Sequence, residues 1–421
     1  MKEEQIKNDV SSTKINFKIT PKMISFMVLI AMLVELMILA VVQNIVIIRL
    51  NNKYDRYDEF ESMVDTMLEI DAIYESESIF GPKESLEDNM ENAIKAFAAS
   101  YGDKYMGYID PTEFKETIVN NNSQSTSTGL QIYWEDDIEK YYVFKVEPDS
   151  PAEKAGIKVG DYLTTLNGVV LTNDNRTETL NSIPYEEGVE VSYILESAET
   201  GEEYEVNLVR EVVNQQSVFY SLVGDTENIG YIKITEFRSE TDEQFEEAID
   251  YMKANNIDKV IFDVRWNHGG LADAVVPMID LLCPKGTVLR YIDNEGKVLD
   301  EFSSDANEFD ADMVVIINST SASASEVFTQ NLRDFGKAYI IGEQSYGKGT
   351  VLTELGLSNG GGLVLSTSKY YTNSDTDLEG TGIEPDLTVK LDEEDYDIYY
   401  KLKISDDEQI QAAITYLNSL A

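Results

Sequence analysis

Three short segments concentrate the residue types that can act on a carbonyl carbon. The first is Asp263-Val264-Arg265-Trp266-Asn267-His268-Gly269-Gly270, where paired glycines let a backbone approach a ligand and leave N–H groups facing it. The second, Asn318 to Glu326, carries Ser319, Ser321, Ser323 and Ser325 between the strand-like run MVVIIN and a helical run closed by Gly336. A serine at the positive end of a helix favours a developing oxyanion. Serines so placed also cap helices and form turns, and composition alone does not choose among the four. The third, Gly342 to Thr350, sets Lys348 between Gly347 and Gly349 after an apolar strand, a position where a lysine is ordinarily just solvated.

Composition removes competing chemistries. His268 is the one histidine, so zinc hydrolysis by histidine ligands and any Ser-His-Asp triad not built on His268 are excluded. The single cysteine, Cys283, lies in the apolar run Leu281-Leu282-Cys283-Pro284 and reads as a small buried hydrophobe. A formal charge of −45 repels phosphate backbones, which excludes nucleic acid as a partner.

Taken together, the three loops resemble the C-terminal processing peptidases, also called tail-specific proteases, whose pattern includes a D-[LV]-R-x-N-x-G-G loop, S-A-S-A-S-E and G-K-G. The resemblance runs from about Glu91 to the C-terminus. It includes the strand-like Leu363 to Thr372 and the Gly380-Thr381-Gly382-Ile383-Glu384-Pro385-Asp386 segment. It implies that Ser323 is the nucleophile, Lys348 the general base, and the amides of Gly269 and Ala324 the oxyanion hole. Leu352 stands where the family carries a glutamine that orients the lysine, and a leucine cannot hydrogen-bond to an amine. Such a mechanism needs the Lys348 pKa to fall from about 10.4 toward 7, which only a desolvated pocket provides. No metal or cofactor is implied. His268 falls at a variable position of the motif and receives no catalytic role.

The elements that must position these groups follow from the hydrophobic pattern. From Asn228 onward, strand-like runs (IGYIKI, KVIFDVRW, MVVIIN, KAYIIGE) alternate with helical ones (Glu243 to Ala254, Ala272 to Leu282, Ser325 to Phe335), an α/β layout. By resemblance this is a crotonase- and ClpP-like α/β peptidase core. Upstream, GLQIY and YYVFKV alternate as strands, Ser150-Pro151-Ala152-Glu153 is a capping box, and Gly156 stops the short helix. The stretch SPAEKAGIKVGDYLTTLNGVVL resembles the centre of a PDZ domain, with Gly129-Leu130 at its carboxylate-binding loop. Backbone N–H groups there would receive a free C-terminal carboxylate while the bound tail adds a strand to the sheet edge. The polar run Asn120 to Ser127 cannot form a packed face, with strand patterns beginning directly after it, and Asp110-Pro111 begins a break.

The run Met23 to Leu50 is longer than the roughly 20 apolar residues that span a bilayer, and it predicts one transmembrane helix. The expected organisation is therefore residues 1–22 as a cytoplasmic tail, 23–50 as the membrane helix and 51–117 as a helical region. A PDZ domain over 118–212, a serine peptidase core over 213–390 and a C-terminal helical segment over 391–421 complete it. The expected location is the cell membrane, single-pass, with the catalytic domain outside the cytoplasm. The stripe Phe60, Met63, Met67, Ile70, Tyr74 has helical spacing; it packs on the chain's own core or forms a homo-oligomer seam. The expected partners are protein or peptide substrates with unstructured C-terminal tails. Beside an active endopeptidase stands the alternative of a degenerate peptidase that only binds tails as a sensor or scaffold.

Overall fold

Buried strands are continuous runs of Val and Ile because helices cover both faces of a parallel sheet, and the middle of this chain is built that way. The computed structural model describes residues 57–77, 85–223, 228–305, 308–392, 395–396 and 398–420. The chain divides into two units, Met1–Met90 and Glu91–Ala421. In the first, the stripe residues lie on the helix Tyr57–Glu77.

Among the described residues no helix is long and apolar enough to cross a membrane. This corrects the expected fold class and the expected single-pass membrane location, and the transmembrane helix is no part of the described fold. The run Met23 to Leu50 that prompted the expectation lies outside the described residues.

In the second unit the central sheet has six strands in the order Val218–Val223, Ile229–Ile234, Lys259–Asp263, Asp312–Ile317, Ala338–Gly342, Leu387–Thr388. The first pair is antiparallel and all later pairs are parallel. One face is covered by the helices Thr241–Ala254, Ala272–Asp280 and Ala324–Asp334, whose Phe245, Met278 and Phe328 are wholly buried with Phe262 of the sheet. The other face receives the C-terminal helix Glu408–Ser419 through Ile410, Ala413 and Leu417. A five-stranded antiparallel sheet that includes Thr350–Gly356 and Gly362–Tyr371 flanks this core.

The β-module holds a separate six-stranded antiparallel sheet around Val143, Leu163, Leu166, Val191 and Leu195. Ser150 caps the short helix Pro151–Lys154 by accepting from the Glu153 amide, and Gly156 ends that turn at φ +83°. The predicted break at Asp110-Pro111 and part of the polar run that follows are regular structure. Asp110 caps the helix Pro111–Asn121 with proline at its first turn, as a proline at N1 allows. The polar Gln124–Ser127 is a strand paired with Glu211–Asn214, because ladder bonds come from the backbone and need no apolar side chain. This ribbon joins the chain's entry into the β-module to its exit.

Candidate active site

The strands Lys259–Asp263, Asp312–Ile317 and Ala338–Gly342 are parallel neighbours, so the loops leaving their C-terminal ends meet at one edge. That edge is where ligands bind in open α/β sheets. The first two loops are laced together. Asn318 Oδ1 accepts the Trp266 amide at 3.0 Å. The Ser321 hydroxyl donates to the Val264 carbonyl at 2.8 Å, and that of Ser325 to the Asn267 carbonyl at 2.8 Å. Ser321 and Ser325 are wholly buried in these roles. Ser319 is exposed, and Ser323 lines a cavity of about 410 Å³.

Ser323 sits at φ 55°, ψ −117° directly before the helix Ala324–Asp334. A residue with a Cβ pays about 1–3 kcal/mol for such a conformation and keeps it only where its surroundings over-determine it. A strained strand-to-helix turn also presents a serine hydroxyl outward, as in nucleophile elbows.

Glu326 supplies the constraint. It is wholly buried, and its Oε2 accepts the amides of both Ser323 and Lys348 at 2.9 Å. Its Oε1 accepts the Ser345 hydroxyl at 2.6 Å and the Gly347 amide at 2.8 Å. Burial pushes the Glu326 carboxyl up, and the four donors oppose that. One carboxylate thus fixes the serine turn relative to the lysine loop. The flanking glycines are steric requirements. A Cβ on Gly347 would lie 2.8 Å from the Gly382 amide nitrogen, and one on Gly349 2.6 Å from that of Glu379.

Lys348 lines the same cavity as Ser323, with Leu352, Leu271, Val327 and Tyr370. Burial lowers the Lys348 pKa below the ordinary lysine value, opposed by the charges of Glu326 and Glu379. Its amine lies 5.5 Å from the Tyr105 ring centroid, a contact that favours the charged form without reversing the direction. The Tyr370 hydroxyl donates to the Lys348 carbonyl and, at 3.4 Å, to the Ser323 carbonyl.

The two expected oxyanion amides differ. Ala324 is the first helical residue and lines the cavity, where a helix N-terminus leaves its N–H free of intrahelical partners. Gly269 packs against the turn, since a Cβ there would lie 2.9 Å from the Ala324 nitrogen. Its own N–H, however, donates to Asn267 Oδ1 at 2.8 Å. Gly270, at φ 136°, is the glycine of the pair that lines the cavity. The His268 side chain is exposed and is no part of the cavity wall.

In the β-module, Gly129 has φ 86°, and its carbonyl accepts the Glu147 amide at 2.8 Å. Leu130 opens the strand Leu130–Glu135, which is an edge of its sheet, paired on one side to Lys140–Val146. Across Trp134 of this strand lies Arg176 of the helix Arg176–Asn181, its guanidinium 5.0 Å from the ring centroid.

Sequence reasoning placed Ser323, Lys348, Leu352 and Ala324 on segments that the fold brings to one cavity. It gave no role to Glu326, although Ser323-x-x-Glu326 has capping-box spacing, nor to Tyr370, which carries no local signal.

Residues 228–389 match peptidase family S41, and residues 142–180 match the PDZ domain. The chain is 29% identical over 307 residues to the carboxy-terminal-processing protease of Bartonella bacilliformis, covering 72% of this chain and 69% of that protein. It is 27% identical over 333 residues to the carboxyl-terminal-processing protease of a Picosynechococcus, covering 78% and 79%. A solved structure of a candidate S41 protease from Bacteroides fragilis has a TM-score of 0.56 at 16% identity, over 84% of this chain and 97% of that one. That likeness concerns the fold.

Proposed function

Because this chain belongs to the C-terminal processing peptidases of family S41, which makes it a serine-type peptidase, we propose that Ser323 and Lys348 together cleave peptide bonds. The observation that carries the reading is the shared Glu326 oxygen, which holds the Ser323 and Lys348 backbones at fixed positions on one cavity wall.

Neutral Lys348 takes the Ser323 proton as the oxygen attacks the scissile carbonyl. The carbonyl oxygen becomes an oxyanion that receives the Ala324 N–H and, from the glycine pair, the Gly270 N–H, the Gly269 amide being committed to Asn267. The lysine ammonium then protonates the leaving amine as the C–N bond breaks. Once neutral again, Lys348 deprotonates a water that hydrolyses the acyl-enzyme and restores the serine hydroxyl. The apolar wall of Leu271, Val327 and Leu352 suits an apolar substrate residue.

Recognition belongs to the β-module in this proposal. A substrate tail adds a strand to the Leu130–Glu135 edge and sets its carboxylate at the Gly129-Leu130 turn, where the Gly129 amide, which donates to Ser127 Oγ at 3.1 Å, would exchange that partner for the carboxylate. The apolar Leu352 on the cavity wall supports a second reading, a degenerate peptidase that binds tails without cutting them.

Peptides ending in apolar residues, as free acids and as amides, separate the two when incubated with the chain and its Ser323→Ala and Lys348→Ala variants. Cleavage that both variants abolish is the expected result. Absence of Ser323-dependent cleavage across varied tails, with binding retained, leaves the second reading.

A further inference from the structure

A second cavity, of about 320 Å³, lies between the β-module and the central sheet, at the lower end of the size range for small-ligand sites. Phe144 and Lys145 enter it from the module, Phe219 and Lys233 from the sheet, Trp266 from the loop that carries Gly269, and Tyr399 from the C-terminal segment. Trp266 and Tyr399 are stacked face to face at 3.8 Å, with planes 14° apart, and this aromatic pair lines the cavity.

Lys233 is the unexplained group. Its amine lies 5.9 Å from the ring centroids of both Trp266 and Tyr399. Burial lowers the Lys233 pKa, and the charges of Asp263 and Asp407 oppose that, but the direct partners of the neighbouring charges are other groups. Arg265 takes Asp263 at 2.6 Å and Asp407 at 2.8 Å, and Lys145 takes Glu147 at 2.7 Å. Among the described residues the Lys233 ammonium has no ion pair and no hydrogen-bond acceptor. An ammonium has three donors to satisfy, and an acceptor inside an enclosed site is worth more than one in water.

We propose that this cavity is a binding site for a residue-sized carboxylate with an aromatic or aliphatic body. The carboxylate accepts from Lys233, and the body packs among the stacked Trp266–Tyr399 pair, Phe144 and Phe219. The source is either the free C-terminal residue of a polypeptide or a small carboxylic acid; their shared chemistry is one anionic end and one apolar end. The site is separate from the Ser323 cavity and does not depend on the peptidase reading. It touches the same loop all the same, because Trp266 precedes Asn267, whose Oδ1 holds the Gly269 amide.

The protein has two tryptophans, so a Trp134→Phe background leaves Trp266 as the sole indole reporter inside the cavity. The full chain in that background is titrated with N-acetylphenylalanine as the free acid, with its amide, and with a hexapeptide ending in free phenylalanine. Saturable quenching by the free acid, at least tenfold weaker with the amide, is expected. Lys233→Met should abolish it and Lys233→Arg should retain it, which separates loss of charge from loss of fold. Equal response to acid and amide, no saturable response, or an unchanged response in Lys233→Met overturns the proposal. Quenching by the single residue but not the hexapeptide assigns a small acid, quenching by both assigns polypeptide tails, and each supports the site. Ser323-dependent cleavage, read in parallel, reports on the peptidase separately.

Discussion

The serine–lysine cavity and the β-module edge solve opposite problems. At the cavity, side chains fix the backbone. Glu326 binds four donors, the side chains of Asn318, Ser321 and Ser325 tie two loops together, and Ser323 is held at φ 55°. At the edge, Leu130–Glu135 is held on one side by a ladder and leaves its other side open. Chemistry needs reacting atoms placed to a fraction of an ångström, and strain is tolerated to achieve it. Recognition by strand addition needs only unpaired backbone groups and pockets for alternate side chains. In the proposed function, constraint and openness therefore sort by task.

The largest test removes the reacting groups. Ser323→Ala and Lys348→Ala should each lower kcat by about 10⁴-fold or more while leaving tail affinity, measured by calorimetry, unchanged. A comparable loss of affinity would show that the two regions are not independent.

Glu326→Ala comes next. It strands four donors, three of them backbone amides, and should destabilise the chain by about 3 kcal/mol or more in chemical denaturation, with a further loss of turnover. The milder Glu326→Gln should fall between. An unchanged midpoint would mean that the cavity is no more constrained than the edge.

The pH dependence reads the base directly. Burial favours the neutral Lys348 amine, so kcat/KM should rise about tenfold per pH unit and level off below the ordinary lysine value of about 10.4. Lowering the pH protonates the base and removes activity. A limb that disappears in His268→Ala would transfer the role to the imidazole.

Replacing a substrate's free carboxylate by an amide should raise KM about tenfold, roughly 1.4 kcal/mol, with kcat little changed. An equal change in kcat would place the carboxylate's effect at the cavity. The smallest effect is expected from Leu352→Gln, a rise in turnover of about two- to fivefold with no change in tail affinity. Unchanged turnover would show that Tyr370, which bonds both the Ser323 and Lys348 carbonyls, already supplies the orientation.

The sequence was most legible where chemistry and backbone geometry coincide. Gly347 and Gly349 are demanded by contacts under 3 Å, and the apolar runs become strands in the places their patterns predict. KVIFDVRW ends as a strand at Asp263, and just beyond it the Arg265 backbone N–H donates to Asp263 Oδ1 at 3.0 Å in place of a ladder partner. Convergence of distant residues was not legible. No local pattern brings Tyr370 to Lys348 or aligns Gln124–Ser127 with Glu211–Asn214. The apolar run at Met23 to Leu50 gave the boldest local expectation, and no membrane-spanning helix stands among the described residues.

That last strand pair carries a consequence for how the molecule is assembled. Because Gln124 faces Asn214 and Ser127 faces Glu211, the β-module leaves the catalytic core through two adjoining chain ends. A fold interrupted by such an insert closes a loop whose entropic cost grows only with the logarithm of its length. The core is therefore nearly indifferent to how large the inserted module is. Exchange of one inserted module for another at this neck would not ask the core to fold anew.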